Sequence, residues 1–288
     1  MYWQTLVTLP LILLLAGMLS GCQGNAALGA LNAVTPDSGY TLSSDLAYGS
    51  DARQTMDIYR PDVSSENAHV VVFVYGGAWR KGVKDDYAFI AHALAKQGHW
   101  LVVPDYRLFP AATFPAFVDD LATSINALPA LLGEEISDGD KPLQITLMGH
   151  SSGAHSAALI AADTSWLDGA SVKISKLIAM SGPYDLPLDN PEVQPVFAGA
   201  LNSDIALPIA QIDEQHPPSL LIHGMNDNRV LPLHTERYSA ALEAAGIDTT
   251  VLWIEGSGHA APLTGLAELL PDNGVLSSVF QFLAKRDS

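Results

Sequence analysis

The chain has 288 residues, 48% of them hydrophobic, and its 14 Lys and Arg face 31 Asp and Glu for a formal net charge of −17. That length supports one large α/β domain with a substantial core, and the charge leaves little to neutralise phosphates, which argues against nucleic acid and against strongly anionic substrates. The 23 glycines and 18 prolines are spread along the chain, so collagen-like and low-complexity architectures are excluded.

Residues 1–21, "MYWQTLVTLPLILLLAGMLSG", carry no charged side chain, and the apolar stretch from Leu6 to Leu19 is short for a spanning helix and ends in small residues. This is the pattern of an export signal. Leu19, Ser20, Gly21 and Cys22 resemble the lipobox of bacterial lipoproteins. The resemblance implies removal of residues 1–21 and lipidation of Cys22, although the n-region lacks the usual Lys or Arg. Gln23 in the next position resembles lipoproteins sent to the outer membrane, so the expected location is the bacterial cell envelope, with a lipid anchor in the membrane. Cys22 is the only cysteine, so no disulfide can staple the fold. Residues 22–44 are small and polar and read as a flexible tether, leaving one domain at 45–288.

Within that domain, "DLAYGSDARQTMDIYRP" (45–61) reads as an amphipathic hairpin at a sheet edge. Six apolar runs follow, each closed by a turn signal: 69–77, 99–107, 143–150, 174–182, 218–227 and 249–259. Runs that are apolar on both faces suit strands of a parallel sheet covered on both sides. Helical patterns lie between them at 85–98, 117–133, 153–167 and 233–246, and a last helix covers about 276–285. This alternation predicts a doubly wound, mostly parallel sheet with helices on both faces, in which ligands bind outside the carboxyl ends of the strands. Residues 183–217 are short and proline-rich and read as a small cap.

"LMGHSSGAHS" (147–156) holds Gly149, Ser151 and Gly153 in the pattern G-x-S-x-G, which turns a strand sharply into a helix and exposes the serine oxygen at the apex. A serine needs a histidine to take its proton, and the histidine needs a carboxylate to fix its tautomer. Asp227 in "HGMNDNRV" and His259 in "GSGH" follow later strands in the order Ser, Asp, His. Asp185 in "SGPYDL" is the rival acid, whereas His223 and His234 read as packed or solvated. "YGGAW" (75–79) ends the first buried run and offers flexible backbone for an oxyanion hole. No cluster of Cys, His and carboxylates has metal-ligand spacing, and no phosphate-binding loop is present, so neither a metal nor another cofactor is expected.

Together "YGGAW", "DYRLFPAATFPAFVDDL" (105–121), "GHSSGAH", "SGPYDL", "HGMNDNRV" and "GSGH" resemble the α/β-hydrolase family. The nearest patterns are in its carboxylesterase and hormone-sensitive-lipase-like branch, among HGGxW-type esterases and kynurenine formamidases. The resemblance implies an α/β-hydrolase fold, with Ser151 as nucleophile, Asp227 as acid and His259 as base. It also implies backbone N–H donors at Gly77, Ala78 and Ser152, and Trp79 and Tyr184 as apolar walls of a substrate site. Tyr75 and Ala78 depart from the lipase-like pattern, which has histidine and a third glycine there. Asp105 and Arg107 are expected to pair and brace the oxyanion turn. The implied reaction is hydrolysis of small to medium acyl or aryl esters through an acyl-enzyme, the membrane being engaged through the lipid. The alternatives are an arylformamidase or other amide hydrolase with the same triad, and a non-catalytic binding module.

Overall fold

A computed structural model describes residues 24–133, 136 and 141–285. The export signal and Cys22 lie outside the described residues. The segment expected as a tether is in part a helix, α1 (Gly24–Val34), which corrects that reading. Eleven residues without a charge would be a marginal helix alone. This one is held by its docked face: Ala27 and Leu31 are buried, and Asn32 accepts the Phe89 N–H at 3.2 Å and donates to the Asp85 carbonyl at 2.5 Å.

The edge hairpin is β1 (Tyr40–Ala47) and β2 (Thr55–Pro61), antiparallel to each other. The first buried run is β3 (Val70–Val74), followed by α2 (Ala88–Ala95) and β4 (Trp100–Pro104). Two helices, α3 (Ala116–Asn126) and α4 (Leu128–Leu132), lead to β5 (Leu143–His150), α5 (Ser152–Ala162) and β6 (Val172–Met180). The chain closes with β7 (Ser219–Gly224), α6 (Leu233–Ala244), β8 (Thr249–Ile254), α7 (Ala261–Thr264) and α8 (Val275–Ala284).

The described strands form one eight-stranded sheet in the order β1-β2-β4-β3-β5-β6-β7-β8. β2 pairs antiparallel with β4, and every later pairing is parallel. Every residue of β3, β4 and β7 is buried, as a sheet with helices on both faces requires. This is the α/β-hydrolase fold. The crossovers bring the ends of β3, β5, β7 and β8 to one edge, so residues more than a hundred positions apart meet there.

Residues 183–217 form a small cap of turns and short 3₁₀ segments. Its Val196 and Phe197 are buried, with the Phe197 ring against Trp79 and Phe114. Its backbone is tied down by the Phe114 N–H on the Val196 carbonyl at 2.8 Å and by His155 Nε2 on the Ala206 carbonyl at 2.8 Å.

Candidate active site

Ser151 sits between β5 and α5 at φ 56°, ψ −124°, a conformation that costs a non-glycine residue roughly 1–3 kcal/mol. Close packing behind it holds the turn. A Cβ added to Gly153 would lie 2.0 Å from the Val74 carbonyl oxygen, and one on Gly149 would lie 2.5 Å from the Gly153 carbonyl oxygen. Gly153 is therefore needed for the helix to approach β3, and Gly149 for the helix to fold back onto β5, which is the physical content of G-x-S-x-G. Gly153→Ala should overpack this contact and lower stability by about 1–3 kcal/mol or more. Thermal melting should show a loss of several degrees, and an unchanged melting point would refute the packing argument.

The Ser151 hydroxyl donates to His259 Nε2 at 2.9 Å, and His259 Nδ1 donates to Asp227 Oδ2 at 2.7 Å. Gly224 brings the last two loops together: a Cβ there would lie 2.5 Å from both the Ser257 and Gly258 carbonyl oxygens. Asp227 accepts further bonds from the backbone N–H groups of Arg229 at 2.9 Å and Val230 at 3.0 Å. Burial opposes its ionisation. Hydrogen bonds from His223 and His259, the charge on His259 and the Val230 N–H outweigh that cost and hold its pKa well below the carboxylate range. Asp185, the rival acid, instead forms an exposed ion pair with Arg237 at 2.5 Å.

Two histidines that the sequence did not single out for the site support it from behind. His150, the residue just before Ser151, places Nε2 on the His259 carbonyl at 2.9 Å, and its ring lies 4.9 Å from that of His259. His223 is fully buried, with Nδ1 on Thr235 Oγ1 at 2.7 Å and Nε2 3.3 Å from Asp227 Oδ2. The only sequence signal for His150 is its place inside G-x-S-x-G. Of the two expectations for His223, packed or solvated, the first holds: it packs against Asp227.

The loop after β3 lies against Ser151. A Cβ added to Gly76 would meet Ser151 Cβ at 2.9 Å. Gly77, Ala78 and Trp79 all adopt positive φ, at 133°, 55° and 57°. Ser152 opens α5, where a backbone N–H has no intrahelical acceptor. The three expected donors thus border the Ser151 turn from two sides.

Three expectations need correction. Trp79 and Tyr184 do not wall a site. Trp79 is 2% exposed, its Nε1 donates to Ser156 Oγ at 3.2 Å and its ring meets Phe197 edge-on at 4.9 Å; Tyr184 is fully buried and stacks on Tyr238 at 4.3 Å. Asp105 and Arg107 do not pair. Arg107 binds the buried Asp120 with Nη2 at 2.6 Å and Nε at 2.9 Å, while Asp105 accepts from Tyr75 at 2.6 Å and from Arg53 at 3.4 Å. Among the described residues, no group of three or more His, Cys, Asp and Glu is placed to hold a metal ion.

Burial lowers the pKa of His150 to about 3, helped by the neighbouring His259, and that of His155 to about 4. Both rings stay neutral in the folded chain but take up protons when unfolded, at about pH 6.5. Their contribution is therefore complete above pH 6.5 and is lost as pH falls towards 4, at about 1.4 kcal/mol per pH unit for each. Urea midpoints measured from pH 7 to pH 4 should fall steadily. A flat profile would show that these rings are not held neutral.

The BD-FAE family model matches residues 56–242. The chain is 27% identical to a probable isoprenylcysteine alpha-carbonyl methylesterase of Oryza sativa subsp. japonica, over 74% of this chain and 56% of that protein. It is 24% identical to kynurenine formamidase of Danio rerio, over 82% of this chain and 79% of that one. The chain thus spans about half the length of the plant relative and most of the fish one. Among solved structures, esterase B from Lactobacillus rhamnosis superposes with a TM-score of 0.73 at 20% identity, over 91% of each chain, a likeness of fold.

Proposed function

The chain belongs to the BD-FAE family, and from that premise we propose that it is a serine hydrolase that cleaves carboxylic esters through an acyl-enzyme on Ser151. The observation that carries this reading is the unbroken chain of hydrogen bonds from Ser151 Oγ through His259 to Asp227. Ser151 Oγ attacks the ester carbonyl carbon as its proton passes to His259 Nε2, and Asp227 stabilises the imidazolium. The oxyanion of the tetrahedral intermediate is taken by the N–H groups of Gly77, Ala78 and Ser152. His259 then returns the proton to the leaving alcohol oxygen. Water, activated by the same histidine, releases the acid.

Amide cleavage is the second reading. It is favoured by the match to kynurenine formamidase, which covers more of both chains than the match to the plant methylesterase. A panel of p-nitrophenyl esters of graded acyl length, run beside N-formylkynurenine, separates the two. Ester turnover with a weak or absent formamidase rate supports the first, the reverse supports the second, and no turnover of either defeats both. The proposed lipidation of Cys22 and the envelope location rest on the uncharged apolar stretch of residues 1–21 and on residues 19–23. Their test is palmitate labelling and membrane pelleting of the wild type; Cys22→Ser should lose the label and signal cleavage, leaving at most an uncleaved signal-anchored form, and a soluble exported wild type with another N-terminus would sink them.

A further inference from the structure

Ala78 and Trp79 are consecutive non-glycine residues at positive φ, and such backbone persists only where its surroundings over-determine it. The loop that carries them is anchored in the middle at Trp79, whose Nε1 also donates to Ser156 Oγ at 3.2 Å. The Trp79 carbonyl accepts the Phe109 N–H at 2.8 Å, and the Trp79 ring is buried. The two ends of the loop converge on a single carboxylate oxygen. Asp105 Oδ1 accepts the Tyr75 hydroxyl at 2.6 Å, from the residue entering the loop, and the Lys84 N–H at 2.9 Å, from beyond its exit. Arg53, from the turn between β1 and β2, completes the bracket. Its Nη2 donates to the Tyr75 hydroxyl at 2.8 Å and to the Gly82 carbonyl at 2.9 Å, and its Nε donates to the Tyr106 carbonyl at 2.8 Å. The Tyr75 ring is stacked between Tyr87 at 5.6 Å and Tyr106 at 4.8 Å, which fixes the ring that carries this hydroxyl.

We infer that Arg53, Tyr75 and Asp105 form a clamp of positioning residues that sets where the Gly77 and Ala78 N–H groups stand relative to Ser151. The inference rests on the serine-hydrolase reading above. None of the three reaches the reacting atoms; they act by holding the two ends of the loop at a fixed separation. The Gly76 segment between those ends touches Ser151, so a small change in that separation moves the donors relative to the nucleophile. Tyrosine suits this position because it spans from the end of β3 to Asp105 while its ring fills the aromatic stack.

Tyr75→Phe tests it. The variant keeps the stacked ring and leaves Asp105 bonded to Arg53 and to the Lys84 N–H, so it should fold, with a melting point a few degrees below wild type for the lost buried bond. For a p-nitrophenyl ester, kcat should fall about tenfold to a hundredfold while KM stays within about twofold, as expected when transition-state donors are misplaced. The inhibition constant of a boronic acid that adds to Ser151 should rise by the same factor as kcat falls, because the adduct places an oxygen among those donors. Arg53→Lys, which keeps the charge and loses the fork, should show the same split. A folded Tyr75→Phe with wild-type kcat and boronate affinity overturns the clamp while leaving the hydrolase reading intact. A wild-type protein that neither turns over ester nor reacts with a fluorophosphonate overturns both.

Discussion

Ser151→Ala is expected to reduce ester turnover by a factor on the order of 10⁴ to 10⁶ and to abolish labelling by a fluorophosphonate. The change deletes one oxygen and leaves the Cβ, so the packing of Gly149 and Gly153 behind the turn is untouched. The His259–Asp227 bond also survives, because it does not pass through the serine. Circular dichroism and the melting point should therefore match wild type, which makes the activity loss attributable to the missing nucleophile. Residual turnover should come only from water held near the oxyanion donors, and it should show no burst of product. A variant retaining a tenth of the activity would mean that another group attacks the ester. His259 acting alone on an activated ester is the nearest such group, and a labelled His259 peptide would reveal it.

The meeting of Ser151, Asp227 and His259 was legible because each follows an apolar run, and parallel strands carry such residues to a common edge. The order Ser151, Asp227, His259 needed only the strand count, and β5, β7 and β8 supply it. The choice between Asp227 and Asp185 rested on context, and the structure separates them by burial: Asp227 is enclosed by donors, whereas Asp185 faces Arg237 at the surface. The bracing of the oxyanion loop was not legible. Asp105 draws its partners from residues 30 and 52 positions away, across three strands that adjoin only in the folded sheet. The nearer pairing with Arg107, read from spacing, loses to Asp120 on α3, which offers Arg107 a buried two-pronged acceptor. Helix α1 escaped for a similar reason. Its composition is weakly helical, and what holds it is a surface made by residues 85–89, which composition cannot show.

Asp227→Asn should lower kcat by about 10⁴-fold, whereas Asp185→Asn should leave it within about twofold. The carboxylate at 227 is surrounded by donors only: His259 Nδ1, the backbone N–H groups of Arg229 and Val230, and His223 Nε2. An asparagine has one oxygen and one NH₂ to place among them. If the oxygen keeps the two backbone bonds made by Oδ1, the NH₂ faces His259 Nδ1. The imidazole must then expose a lone pair there and carry its proton on Nε2, the atom that has to accept the Ser151 proton. Catalysis fails because the base is in the wrong tautomer, even with the ring in place. If the amide turns the other way, the NH₂ opposes the N–H groups of Arg229 and Val230, and the cost appears as lost stability instead. Both effects depend on the burial of residue 227. Asp185 has no comparable constraint, and removing its charge loosens only an exposed pair with Arg237, a change of roughly 0–1 kcal/mol in stability. Measuring kcat and the melting point for both variants decides the assignment. A near-wild-type Asp227→Asn beside an inactive, folded Asp185→Asn would move the acid to the loop after β6 and require His259 to turn away from its present partner.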